Sequence, residues 1–444
     1  MKKRFLVPFA ALALLCCAGL FYNPETAAVT RTAAPADIAW MLTAAGLVLL
    51  MTPGLSFFYG GMVSKKNIIS TMLQSFIALG VITILYVFVG FSLCFGDSFH
   101  HIIGNPFTFM MFRNVDLNTH PLLSPSIPLL LFAVFQLKFA IITPAIITGS
   151  FAERVKFNAY LLFICLFSLF IYAPLAHWTW HPEGFLHKWG VLDFAGGTVV
   201  HMSAGYAALA GAMWLGHRTS FGDTSKHHEP ANIPFVILGT GMLWFGWFGF
   251  NAGSSLGANT LAVQAFATTI VASAAAMLAW IFFDSVRGKK ISAMGACIGA
   301  VVGLVAITPA AGYVTIPHAL FIGFISAVIS NLAVRAKNKS NLDDTLDVFP
   351  CHGIGGIVGM ILTGIFAKDF GLYYGHYQTF LYHLLALVII SVFTFGGSYL
   401  LYKITDAIVP LRVSVQEEID GLDYTQHGET YKLKKPVKEI VNPN

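Results

Sequence analysis

The chain has 444 residues, 56% of them hydrophobic and 11% charged, with a formal net charge of +5. Soluble domains carry roughly a quarter of their residues as charges, so this balance excludes a soluble enzyme and describes a chain immersed in lipid. The six cysteines offer no CxxC spacing for zinc or redox chemistry and read as small apolar side chains.

The chain opens with Met1-Lys2-Lys3-Arg4, an apolar run from Phe5 to Leu20, then small and polar residues to about Thr30. A basic start, a short apolar stretch and nearby alanines describe a secretory signal peptide. Cleavage near Ala27 or Ala28 would remove residues 1–28, the alternative being an uncleaved anchor.

Eleven apolar segments follow, each long enough for a bilayer crossing of about 20 residues. They are predicted at roughly 38–62, 68–95, 126–151, 157–176, 195–215, 233–254, 260–284, 291–310, 317–334, 350–366 and 379–403. Basic residues gather on the cytoplasmic side of membrane proteins. With the mature N-terminus outside, 18 Lys and Arg fall inside, among them Lys65, Arg154, Arg218 and Lys226. Only Arg31, Arg113, Lys188 and Lys368 fall outside, and Lys138 lies within a span. The basic residues therefore mark loops, not a nucleic-acid surface. The remainder, 406–444, is a cytoplasmic tail.

Eleven spans divide into five, five and one. Phe57-Phe58-Tyr59-Gly60-Gly61 at the end of the first span is echoed by Phe248-Gly249-Phe250-Asn251-Ala252-Gly253 at the end of the sixth. His201-Met202-Ser203-Ala204-Gly205 in the fifth is echoed by His352-Gly353-Ile354-Gly355-Gly356 in the tenth. The prediction is an all-α polytopic membrane protein of two inverted five-helix repeats, about 38–215 and 233–366, plus a final helix. Such folds place the substrate path where the repeats meet.

Polar groups inside a membrane are costly and mark function or a satisfied helix contact. His201 and His352 occupy corresponding spans, and a neutral imidazole offers one donor and one acceptor. Two such rings can share a proton and still serve a small polar guest, or each can be satisfied separately. Asp193, before the fifth span, reads as an N-cap or as an anion that favours a cation at the mouth. Trp180 is an interface anchor or one wall of a site. Phe135 and Phe139 share one face of the third span, and Phe250 and Ser254 one face of the sixth. Aromatic faces with a hydroxyl acceptor suit a small cation, though packing explains each alone. Lys138 sits about 100° around the helix from Phe139, so the two cannot both face one narrow pore. No metal-ligating or nucleophile motif appears, so no enzyme, metal or cofactor is expected.

Five stretches together resemble the ammonium transporter (Amt) branch of the Amt/Rh/MEP superfamily. They are Phe57-Phe58-Tyr59-Gly60-Gly61-Met62-Val63, Phe151-Ala152-Glu153-Arg154-Val155-Lys156-Phe157, and Asp193-Phe194-Ala195-Gly196-Gly197-Thr198-Val199-Val200-His201. Gly246-Trp247-Phe248-Gly249-Phe250-Asn251-Ala252-Gly253-Ser254 and Asp347-Val348-Phe349-Pro350-Cys351-His352-Gly353 complete the set. The resemblance implies a homotrimer in the inner membrane of a bacterium, with one pore per subunit. Phe139, Trp180 and Ser254 match the family's recruitment site, Phe139 and Phe250 its phenyl gate, His201 and His352 its twin histidines, and Asp193 its mouth-side acid. Trp180 with Ser254 favours the Amt branch over the Rh branch. Ammonium, with methylammonium as its analogue, would be recruited outside and deprotonated, and ammonia conducted with or without a separately moved proton. The tail motifs Glu417-Glu418-Ile419-Asp420-Gly421-Leu422-Asp423 and His427-Gly428-Glu429 are similar to the segment where PII-type signal proteins act. A basic Lys432–Lys438 extension and a missing small residue before Tyr431 depart from that pattern, as does Lys138. The second reading is an ammonium sensor that signals through an unlinked partner.

Overall fold

Backbone polar groups in lipid must be satisfied within their own segment, which leaves helices as the economical solution for runs this apolar. The computed structural model describes residues 5–21, 33–222 and 229–431. The expectations at Ala27, Ala28, Arg31, Lys226 and Lys432–Lys438 lie outside them. An exposed apolar helix, Leu6–Phe21, comes first.

Eleven long apolar helical segments follow among the described residues, before two short helices in the tail. The first four are Pro35–Met62, Ile68–Phe95, Leu129–Ser150 and Phe157–Lys188. The fifth is a π-helical turn, Gly197–Met202, continued by Ser203–Leu215. Ile233–Gly253, Thr260–Val286, Ala293–Ile307 and Ile316–Lys339 come next, then Phe349–Phe366 and Tyr377–Ile408. Nine of the eleven are long and apolar enough by themselves to cross a membrane; the eighth has only 15 residues. Local signals set many of the starts. Asn232, Asn259, Ser292 and Thr315 each accept an amide of the first turn of the sixth, seventh, eighth and ninth spans, satisfying a donor the helix leaves free.

The third span begins three residues later than expected. Pro125 and Pro128 hold Ser124–Pro128 extended against Thr119–His120, because a proline disfavours helical geometry in the residue before it. This hairpin and a second one, Ser98–Phe99 with Ile103–Gly104, cap one face of the bundle. The chain's tail packs on the opposite face.

The first and sixth spans form the most extensive helix pair. A Cβ on Gly239 would lie 2.3 Å from the Phe58 nitrogen, so glycine lets these two backbones approach closely. The fifth and tenth spans meet in the same way, described below. Thus the two pairs of segments that echo one another in sequence also pack together.

On the tail face, buried Arg154 donates to the carbonyls of Ser150 and Asp343 and to Thr345, tying the third span to the loop before the tenth. Arg218 forks onto Asp343 at 2.9 Å and Glu153 at 3.0 Å. The tail docks beside them. Glu418, nearly buried, accepts from Thr219 and pairs with Arg412 at 3.0 Å. Lys66 donates to the Glu418 and Ile419 carbonyls, and Asp423 accepts the Ser70 amide.

Candidate functional site

A column of aromatic and imidazole rings runs through the centre of the bundle. At its hairpin-face end, Trp180 ends the helix Ala173–Trp180 within the fourth span and Ser254 caps the sixth. With Phe139, Gln136 and Phe194 they line a cavity of about 250 Å³. Trp180 is held by its indole N–H, which donates to the Asp193 carbonyl at 3.1 Å. Ser254 donates its hydroxyl to the Phe250 carbonyl at 2.9 Å, so the lone pairs of its oxygen remain to accept a hydrogen bond. Gln136 brings an amide oxygen with no protein partner. The lining mixes aromatic, leucine and proline side chains with the Gln136 amide and the Ser254 hydroxyl, and no acid contributes to it.

Phe139 and Phe250 form the floor. Their ring centroids are 4.3 Å apart at 34°, and Trp180 stands edge-on to Phe139 at 5.6 Å. Both phenyl rings are fully buried. They shut the cavity from what lies beneath, so passage requires ring movement.

Below them lies a cavity of about 10 Å³, lined by Phe250, Trp247, His201 and His352 with aliphatic side chains such as Ile142 and Val301. That is room for one water-sized molecule. The two imidazoles are 3.3 Å apart between their Nδ1 atoms. A neutral pair can make this bond only if one Nδ1 carries the proton and the other accepts it. One outward-facing Nε2 is then an acceptor and the other a donor, an assignment made by counting donors. The His201 Nε2 has no protein partner. Trp247 lies nearly parallel to the His201 ring, 5.4 Å away, and is itself anchored through its indole N–H to Thr308 at 2.9 Å.

Backbone contact explains why the histidines meet. A Cβ on Gly205 would fall 2.3 Å from the Gly353 nitrogen and Cα. Each glycine follows its histidine closely, so the contact that needs Gly205 to be small also sets the rings side by side, while a Cβ on Gly353 would meet the Phe349 ring at 2.6 Å. Both histidines sit in π-helical turns, Gly197–Met202 and Phe349–Ile354, a local widening frequent at functional sites.

The N-cap position of the first of these turns is Gly196, not Asp193 as expected; Asp193 binds the turn's free amides from three residues upstream. Its carboxylate accepts the amides of Gly196, Gly197 and Thr198 at 2.6–2.8 Å, and the Thr198 hydroxyl as well. Asp344, not singled out from sequence, does the same for the second turn, accepting the amides of Val348 and Phe349 at 3.1 and 2.8 Å. Each acid stands eight residues before its histidine, and that equal spacing was the available signal. Burial, reinforced by neighbouring Asp347, pushes the Asp344 carboxyl up to about 6.

Six of the seven predicted site residues line the two cavities, and Asp193 lines neither, binding the turn that carries His201. Phe135 packs edge-on against Phe139 at 5.0 Å, a supporting position. Lys138 does not line either cavity. Among the described residues no cluster of His, Cys, Asp and Glu is arranged to hold a metal.

The Ammonium Transporter Family profile matches residues 39–432. The chain belongs to the ammonium transporter family. An ammonium transporter of Aquifex aeolicus is 46% identical over 401 residues, covering 88% of this chain and 92% of that protein. The crystal structure of Saccharomyces cerevisiae Mep2 superposes with a TM-score of 0.81 at 34% identity, covering 86% of this chain and 88% of that one. A protein described as a sensor Amt protein superposes equally well, with a TM-score of 0.81 at 30% identity over 88% of this chain and 98% of that one. This family member is a non-enzymatic, multi-pass membrane protein with a fold shared by the Amt and Mep2 structures.

Proposed function

We propose that this chain moves ammonium across the membrane by recruiting the cation, removing its proton and conducting ammonia past the paired histidines. The observation that carries the reading is the His201–His352 pair, buried beneath a closed phenyl floor and facing a cavity of about 10 Å³. Trp180, Phe139 and Ser254 are the recruitment site. Their aromatic faces attract a small cation, and the Ser254 hydroxyl oxygen accepts a hydrogen bond from it. A potassium ion, stripped of water there, gains too few oxygens in return. Below the floor, an intact cation pays the full cost of an apolar passage, whereas neutral ammonia does not. The histidine pair supplies the one polar stop, with an acceptor and a donor for the guest. Asp193 acts through structure, by fixing the turn that carries His201.

The same reading places the hairpin face outside and the tail face in the cytoplasm of a bacterium, with residues 1–28 as a cleaved leader and a homotrimeric assembly. The docked tail is then the surface on which a PII-type protein would act. A second reading, an ammonium sensor acting through an unlinked partner, rests on the likeness to the sensor Amt protein.

Single replacement of either histidine tests the transport reading. His201→Ala and His352→Ala each remove one partner of the pair, and each leaves a ring with an unpaired Nδ1. Both variants should purify folded and lose selectivity or at least about tenfold of ammonium flux, since a buried hydrogen bond is worth about 1–2 kcal/mol. Ammonium and methylammonium uptake by proteoliposomes is the readout. Folded variants with wild-type flux and selectivity would contradict it.

A further inference from the structure

Lys138 lies in the tenth position of the third span, half-buried, with no hydrogen bond or ion pair among the described residues. Ionisable groups in a span are usually paired or face a watery cavity; this one is unpaired among the described residues and lines neither cavity of the ring column. It follows Leu130 and Val134 at four-residue steps, and those two line an apolar groove of about 500 Å³ with Ile38 and Leu42. Lys138 lies about 40° round the helix from Val134 and about 100° from its neighbour Phe139, beyond the groove's lining and on a different side from the gate ring. Across the helix stand the recruitment cavity and its phenyl floor, roughly 10 Å away, the width of a helix with its side chains.

Two conditions make that distance short for a charge. On the groove side the lining is apolar and holds no acid. On the cavity side, no acid lines the wall, and the Asp193 carboxylate is taken up by four donors. An ammonium group some 10 Å from a second cation at an effective dielectric near 20 changes the occupancy of the site by on the order of tenfold.

We propose that Lys138 is a specificity-determining residue: a fixed positive charge behind the gate that weakens the hold on any intact cation and leaves passage to the neutral form. The proposal rests on the transport reading for its purpose. Its electrostatic core does not depend on flux. Trp180 and Ser254 attract a cation, and Lys138 keeps that attraction from becoming a trap. The same field opposes movement of ammonium or potassium through the phenyl floor, while ammonia carries no net charge and is indifferent to it.

A charge series tests this. Lys138→Arg keeps the charge, whereas Lys138→Met and Lys138→Gln remove it with different polarity. In proteoliposomes, the Met and Gln variants should both lower the half-saturating ammonium concentration by about tenfold and let potassium compete, and the Arg variant should match the wild type. Effects that follow side-chain size or polarity instead of charge, or Met and Gln variants equal to the wild type, would overturn it. Should the wild type itself move no ammonium, the transport reading fails. The charge effect is then read separately, from ammonium quenching or enhancement of tryptophan fluorescence in the purified wild type and variants. The same tenfold ordering supports the proposal, and its absence refutes it.

Discussion

Asp193→Ala is expected to abolish transport and to lower stability by about 3–5 kcal/mol. The carboxylate is 6% exposed and accepts four hydrogen bonds, three of them from successive amides. A hydrogen bond to a charged acceptor is worth about 1.5–3 kcal/mol, and buried donors left unpaired add their own desolvation cost. The sum is not additive, because a relaxed turn or a water can recover part of it. Those amides belong to the π-helical turn that carries His201. Alanine therefore disturbs the pore before it unfolds the chain. Asp193→Asn retains one acceptor oxygen and should fold with reduced flux. Thermal unfolding of purified protein, read beside ammonium uptake, separates the two variants. An alanine variant with the wild-type melting temperature and flux would show that the turn's amides have another partner.

The second large effect is expected at the opposite face. Asp343→Ala should cost about 3–5 kcal/mol, the usual penalty for stranding a buried charge. Asp343 takes a fork from Arg218, with Nη2 at 2.9 Å and Nε at 3.0 Å, and faces Arg154 at 3.9 Å. Arg154 is fully buried, so without Asp343 it loses its nearest counter-charge. Burial alone would raise the Asp343 carboxyl, but Arg154 and Arg218 outweigh it and hold the group below the usual carboxylate range. The sign of the pH dependence follows. Its stabilisation is complete above the unfolded value near 4 and is lost as pH falls through the lower folded value. Between pH 7 and pH 5 this group should contribute no loss. Melting curves of the wild type and the variant across that range check both statements. A variant that melts like the wild type, or a gap between the two that closes on going from pH 7 to pH 5, would contradict them.

The spans were legible because hydropathy and the distribution of Lys and Arg are one-dimensional properties. The fifth and eighth spans were found despite being broken or short, since an apolar run survives a π-helical turn or a 15-residue helix. The early start assigned to the third span failed for a local reason: apolar character does not reveal that Pro125 and Pro128 hold the chain extended. Site residues were legible mainly through motifs. His201 and His352 stood out because histidine is rare in such surroundings, but their contact depends on Gly205 against Gly353, which only the three-dimensional crossing displays. Trp247 and Gln136 stayed hidden for the opposite reason. An aromatic or amide among so many apolar residues carries no sequence mark of the ring it stacks on or the cavity it enters.

The central claim is selective passage of ammonium through the histidine-lined column. It is tested most directly by purified wild-type protein in liposomes carrying a pH-sensitive dye, challenged with pulses of ammonium and then of potassium. The account predicts a change of internal pH, with or without a current, for ammonium and neither signal for potassium. Equal responses to both ions, or no internal change with either, would contradict it.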